Sequence, residues 1–119
     1  MSNPVIVRIF DIVGGALCVS TEDGQRVHDK IAVLLREKQK VILSFEQVET
    51  LISAFLNVAV GQLYGEFPEA FIKEQLSVRD INPDDLNMLK RVVENAKRYF
   101  ANRAVADKAW KEEVGNDEE

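Results

Sequence analysis

The chain has one cysteine and one histidine, and each scarcity removes a class of chemistry. Cys18 stands alone in an apolar stretch, so no intrachain disulfide can form and a reducing setting is expected. His28 has no second histidine beside it, which leaves neither a zinc-ligand set nor an imidazole to choose as base for a nucleophilic serine. Basic residues are outnumbered, 15 against 20 acidic, for a formal net charge of -5. Binding to a nucleic-acid backbone or an anionic membrane needs a basic surface that displaces counterions, and no basic stripe is present. No apolar run reaches the roughly 18 to 20 residues of a membrane span, and the amino terminus lacks a basic region followed by a hydrophobic signal core. A cytoplasmic protein is expected. Gly14-Gly15 is not followed by Gly-Lys-Ser/Thr, so it reads as a turn and not as a phosphate loop. No cofactor, metal or catalytic residue is expected.

What remains is ample for one folded domain. A chain of 119 residues with 46% hydrophobic content can bury a single core of ordinary size. Val5, Val7 and Ile9 alternate with Ile6, Arg8 and Phe10, which predicts a strand closed by Gly14-Gly15, and Ala16 to Val19 resumes as a short second strand. Ser20 and Thr21 followed by Glu22 and Asp23 supply hydroxyl caps and first-turn acids for a helix. Its apolar face carries Val27, Ile31, Leu34 and Leu35, while Arg26, His28, Asp29, Lys30 and Arg36 fall on the polar side.

Farther on, Pro68 to Gln75 allows a helical turn or two, and Leu76, Val78 and Ile81 predict a strand. Asn82-Pro83-Asp84-Asp85 is a helix start, with Asn82 as cap and Pro83 at the first helical position. Leu86, Leu89, Val93, Ala96 and Phe100 then repeat at helical spacing. Ala104 to Val114 extends that helix or forms a separate one anchored by Trp110. The domain is expected over residues 1–110, with 111–119 an acidic, disordered tail.

The densest information lies between Val41 and Phe67. Val41, Ile42, Leu43 and Phe45 form a nearly continuous apolar run, the pattern of a strand covered on both faces. From Ser53 the period lengthens, and Phe55, Leu56, Ala59, Val60 and Leu63 fall on one helical face. The carboxyl edge of a central strand is where open α/β sheets place ligands and partners. Ser53 reads in two ways there. It is a helix cap, since serine is a preferred cap residue, or a regulatory phosphosite whose phosphate the helix amino terminus would hold. Asn57, Gln62 and Tyr64 on the same helix are candidate partner-binding positions, or ordinary polar ones.

Three segments, GGALCVSTEDGQRVHDKI, KVILSFEQVETLISAFLNVAVGQLYGEF and LSVRDINPDDLNMLKRVVENA, together resemble the STAS-like family of small bacterial domains, relatives of sulfate-transporter and anti-sigma-factor-antagonist domains. The likeness spans about residues 10 to 100 and is most specific at Ser53-Ala54-Phe55-Leu56-Asn57 and Gly61-Gln62-Leu63-Tyr64-Gly65. It implies a single α/β domain with a four-to-five-stranded mixed sheet and helices mainly on one face, acting by protein contact and not by catalysis. In anti-sigma-factor antagonists, a serine after the central strand is phosphorylated by a serine kinase of the histidine-kinase-like ATPase type, and this switches partners. On this sequence that serine falls at or next to Ser53, with Thr50 the nearest other hydroxyl. Antagonists carry an acidic residue before the serine and a serine and glycine after it, whereas here Ile52 precedes and Ala54-Phe55 follow.

The expected function is therefore a regulatory interaction module. Two other classes remain: a nucleotide or small-molecule sensor using the same edge, and an assembly subunit whose last helix and Trp110 form a homodimer contact. Monomer and homodimer both stand.

Overall fold

The computed structural model describes residues 3–113, with side chains as far as residue 101. The first strand, β1, is Val5–Arg8, and the chain then turns at once into a short helix, α1, Ile9–Val13. The sequence pattern had carried the strand through Phe10. Instead, Ile9 is buried as the first helical residue, and Gly14 at φ 86° closes the helix with its N–H on the Phe10 carbonyl at 2.8 Å. A two-residue strand, β2, Leu17–Cys18, precedes α2, Thr21–Arg36. Ser20 caps α2, its Oγ accepting the Asp23 N–H at 3.1 Å.

The central strand β3, Val41–Ser44, pairs in parallel with β1 on one side and with β5, Leu76–Arg79, on the other. Between β3 and β5 come β4, Thr50–Leu51, then α3, Ser53–Ala59, a 3-10 turn at Gly61–Gly65, and α4, Glu69–Gln75. The expected single helix from Ser53 through Leu63 breaks at Val60, where the bonding tightens from Val60 N–H to Leu56 O into Leu63 N–H to Val60 O. The last helix, α5, Pro83–Glu113, starts as the sequence predicts. Asn82 Oδ1 accepts the Asp85 N–H at 2.8 Å, and Asn82 Nδ2 donates to Asp85 Oδ2 at 3.0 Å. The side chain of Trp110 and all of residues 114–119 lie outside the described residues.

The expected mixed sheet of four to five strands is corrected by the pairing. Among the described residues there are two separate parallel units, a three-stranded sheet in the order β1-β3-β5 and a two-stranded ribbon of β2 and β4. The reason is connectivity. Each pair of partnered strands is joined by a crossover containing a helix, and such crossovers return the chain in the same direction.

Register places Val7 beside Leu43 and Val41 beside Leu76, and this row turns into the core with Ile31, Leu35, Phe55, Leu56 and Leu63. The opposite face is only partly covered, with Ser44 buried at one end of it. Ile6 is 50% exposed next to a half-buried Ile42, so the central strand is not covered on both faces as its apolar run had implied. Gly24 lets α2 cross α3 closely: a Cβ there would stand 2.9 Å from the Phe55 carbonyl oxygen and 3.2 Å from the Val58 Cβ.

Candidate functional site

The two-stranded ribbon presents two contrasting faces. Cys18 and Leu51, in register, point inward and are buried. Their neighbours point outward: Leu17 is 58% exposed, Val19 46% and Ile52 37%, with Thr50 exposed opposite Leu17. Strand alternation puts these four side chains on one face. Ser53 follows Ile52 directly and is also exposed. The ribbon thus sets two hydroxyls in and beside an exposed patch of three large apolar residues, an arrangement typical of a surface that meets another protein.

Ser53 does not cap its helix. Ile52 occupies the N-cap position with extended backbone, φ -115° and ψ 156°, and no side chain makes a capping bond there, so Ser53 is the first helical residue. It also does not stand at the carboxyl end of the central strand. The chain leaves β3, turns through Phe45–Val48, pairs β4 with β2, and only then enters α3. The order β1-β3-β5 runs in one direction across the sheet, so these strands contain no topological switch point of the kind that opens a ligand crevice.

Asn57 lies one helical turn after Ser53 on the same exposed side of α3. It joins Gln62 in a groove of about 260 Å³ between α3, the 3-10 turn and α5, where Asn95, Tyr99 and Phe100 form the far wall. Gln62 is committed internally, its amide donating to the Val58 carbonyl and to Gln25 Oε1, each at 3.0 Å. Tyr64 is separated from this pair. It lines a different cleft, between α4, β5 and α5, and burial raises its phenol above the ordinary value. The structure therefore sets Thr50 and Ser53 at the ribbon patch, joins Asn57 and Gln62 in one groove, and leaves Tyr64 elsewhere.

His28 corrects its sequence reading. It is 4% exposed, facing inward from α2, with Nε2 2.8 Å from Glu66 Oε1 and Nδ1 3.0 Å from Asp29 Oδ1. The signal was present: Gly24, His28 and Ala32 repeat every four residues, and all three are buried beside Val27, Ile31 and Leu35. The hydrogen bond from the imidazole, followed by that from Gln25, holds the Asp29 carboxyl below the usual range. Cys18 is fully buried, and desolvation, reinforced by Asp23 and Asp85, pushes its thiol up to about 11.

Among the described residues, no three His, Cys, Asp or Glu side chains converge as a metal ion would require, and no helix is long and apolar enough to cross a membrane. The geometry is that of a small α/β domain with parallel strands, in which three exposed apolar residues are grouped on a ribbon beside two hydroxyls. Residues 23–86, more than half of the chain, match the family described as STAS-like domain of unknown function (DUF4325). The chain belongs to that family, in agreement with the resemblance carried by its central segment. No curated protein and no solved structure matches it.

Proposed function

We propose that the chain is a non-enzymatic regulatory module that works by binding another protein through the outer face of the β2–β4 ribbon and the adjoining side of α3. The observation that carries this reading is the exposure of Leu17, Val19 and Ile52 on one face, continuous with Thr50 and Ser53. Exposed leucine, valine and isoleucine side grouped on a two-stranded ribbon gain little unless a partner covers them. Membership of a STAS-like family supports the same mode of action.

The partner is a histidine-kinase-like ATPase or serine kinase, and the module switches between bound and free forms. Phosphate on Ser53 or Thr50 would place close to two negative charges within or next to the apolar patch, where desolvation on binding is costly. Modification there opposes partner binding without touching the core.

The test is calorimetric titration with a histidine-kinase-like ATPase of the source organism, using the wild type, a Leu17→Asp/Ile52→Asp double variant and Ser53→Asp. Wild-type binding is expected, with at least about a thirtyfold loss in the double variant, the size of a lost hot spot. Unchanged affinity in that variant would sink the ribbon as the interface. Mass spectrometry after co-expression reads the modification separately, and a chain free of phosphate at both Ser53 and Thr50 removes the switch while leaving the interface standing.

A further inference from the structure

A cleft of about 520 Å³ opens between α4, β5 and the first half of α5, and it shares no residue with the ribbon patch. Its floor reaches the core: Val60, Ile72 and Leu89 are each nearly inaccessible to solvent. Its walls are Leu76 and Val78 from the inward row of β5 and Val93 from α5. Val78 is in register with the fully buried Leu43, yet it is 36% exposed. The core-facing row of the sheet is thus left uncovered at its β5 edge, and the vacancy beneath it is apolar.

The polar groups around this cleft have one dominant sign. Lys73 comes from α4, Lys90 and Lys97 from α5, against the single acid Glu69. Lys97 is already engaged, 2.9 Å from Glu69 Oε2 and 3.3 Å from Glu94 Oε2. Among the described residues, Lys73 and Lys90 make no ion pair, and both are exposed on opposite elements of the rim. In a chain of net charge -5, two unpaired cations converge on one apolar cleft. Tyr64 adds a half-buried hydroxyl to the same lining. Small-molecule sites have this build, a concave apolar body of a few hundred cubic ångströms with few convergent polar groups that orient the ligand.

We propose that this cleft binds a small amphipathic anion, an aliphatic chain ending in one carboxylate or phosphate. The apolar tail lies against Ile72, Leu89 and Val93, and the head group is taken by Lys73 and Lys90. Lysine suits this role as a mobile point charge on a flexible apolar stem, so it closes over a tail while its ammonium meets the head group. This inference does not rest on the ribbon interface, and either can fail without the other.

The experiment titrates the full chain with dodecanoate, dodecyl phosphate and uncharged dodecanol, each below its aggregation threshold, and follows methyl resonances by NMR. Saturable binding of either or both anions is expected, with shifts concentrated at Ile72, Leu76, Leu89 and Val93. Dodecanol should bind more weakly. Lys73→Gln/Lys90→Gln, a pair of exposed substitutions that keep most of each stem and remove its charge, should weaken the anions about tenfold and leave dodecanol nearly unchanged. Which of the two anions binds more tightly identifies the head group. Several results overturn the proposal: no saturable binding, equal affinity for dodecanol, shifts centred outside the cleft, or anion affinity that survives loss of both lysines. Concentration-dependent broadening of the same methyls without ligand also overturns it, because a second copy of the chain would then fill the cleft.

Discussion

Cys18 and His28 are both buried, and their surroundings give them opposite relations to their neighbours. Cys18 is fully buried, and desolvation together with the charges of Asp23 and Asp85 keeps its thiol protonated and inert. Alkylating reagents at neutral pH should fail to modify it in the native chain and label it fully in urea. Its folded value, about 11, lies above the ordinary value of 9.0. The protonated thiol therefore supports the fold fully below pH 9, and that contribution fades as pH rises from 9 toward 11. Measured stability of the wild type should fall over that window by more than that of Cys18→Ala. Asp29 has the reverse sign. Its carboxyl is held low by His28, so its contribution is present above the ordinary carboxylate value and is lost as pH falls through the folded one. The stability difference between wild type and Asp29→Asn should accordingly close below about pH 4 in acid titrations. His28 itself ties α2 to Glu66, just beyond the 3-10 turn. Removing it in His28→Ala strands Glu66 and opens a buried void, and urea denaturation should register a loss of about 1–3 kcal/mol.

Between elements, one tight constraint is the crossing of α2 over α3. Gly24 is in a helix interior, where alanine would ordinarily stabilise by about 1 kcal/mol. Here the added methyl meets backbone, the Phe55 carbonyl, which cannot rotate away as a side chain would. Overpacking of this kind costs about 1–3 kcal/mol, so Gly24→Ala should lower the melting temperature despite its better helix propensity. A rise in melting temperature would show that the two helices can separate cheaply. The ribbon behaves differently. Leu17 projects from it into solvent, so Leu17→Asp should shift stability by no more than about 0.5 kcal/mol while weakening partner binding. That separation distinguishes a recognition surface from a structural one.

At the scale of the whole molecule, one core joins the main sheet, α2, α3 and the start of α5, and a chain this short with one core should unfold in one step. Circular dichroism and protection of Cys18 from alkylation should therefore be lost at the same urea concentration. Much of this arrangement was written locally. Ser20 and Asn82 declare their helices because a short side chain reaching a free backbone N–H needs nothing but the next three residues. The apolar run at Val41 likewise declares a strand. The candidate site was legible only in part: the segment around Ser53 stood out, but its relation to the ribbon did not. Thr50–Leu51 is too short for any period to show, and it becomes a strand only because Leu17–Cys18, more than thirty residues earlier, lies alongside. That pairing moves Ser53 off the edge of the central strand, passes the N-cap position to Ile52, and exposes Leu17, Val19 and Ile52 together. The sequence by itself determined the starts of α2 and α5, the central strand and the family. Only the tertiary structure decided which strands pair and which apolar faces stay uncovered, because those depend on contacts between segments that no local pattern encodes.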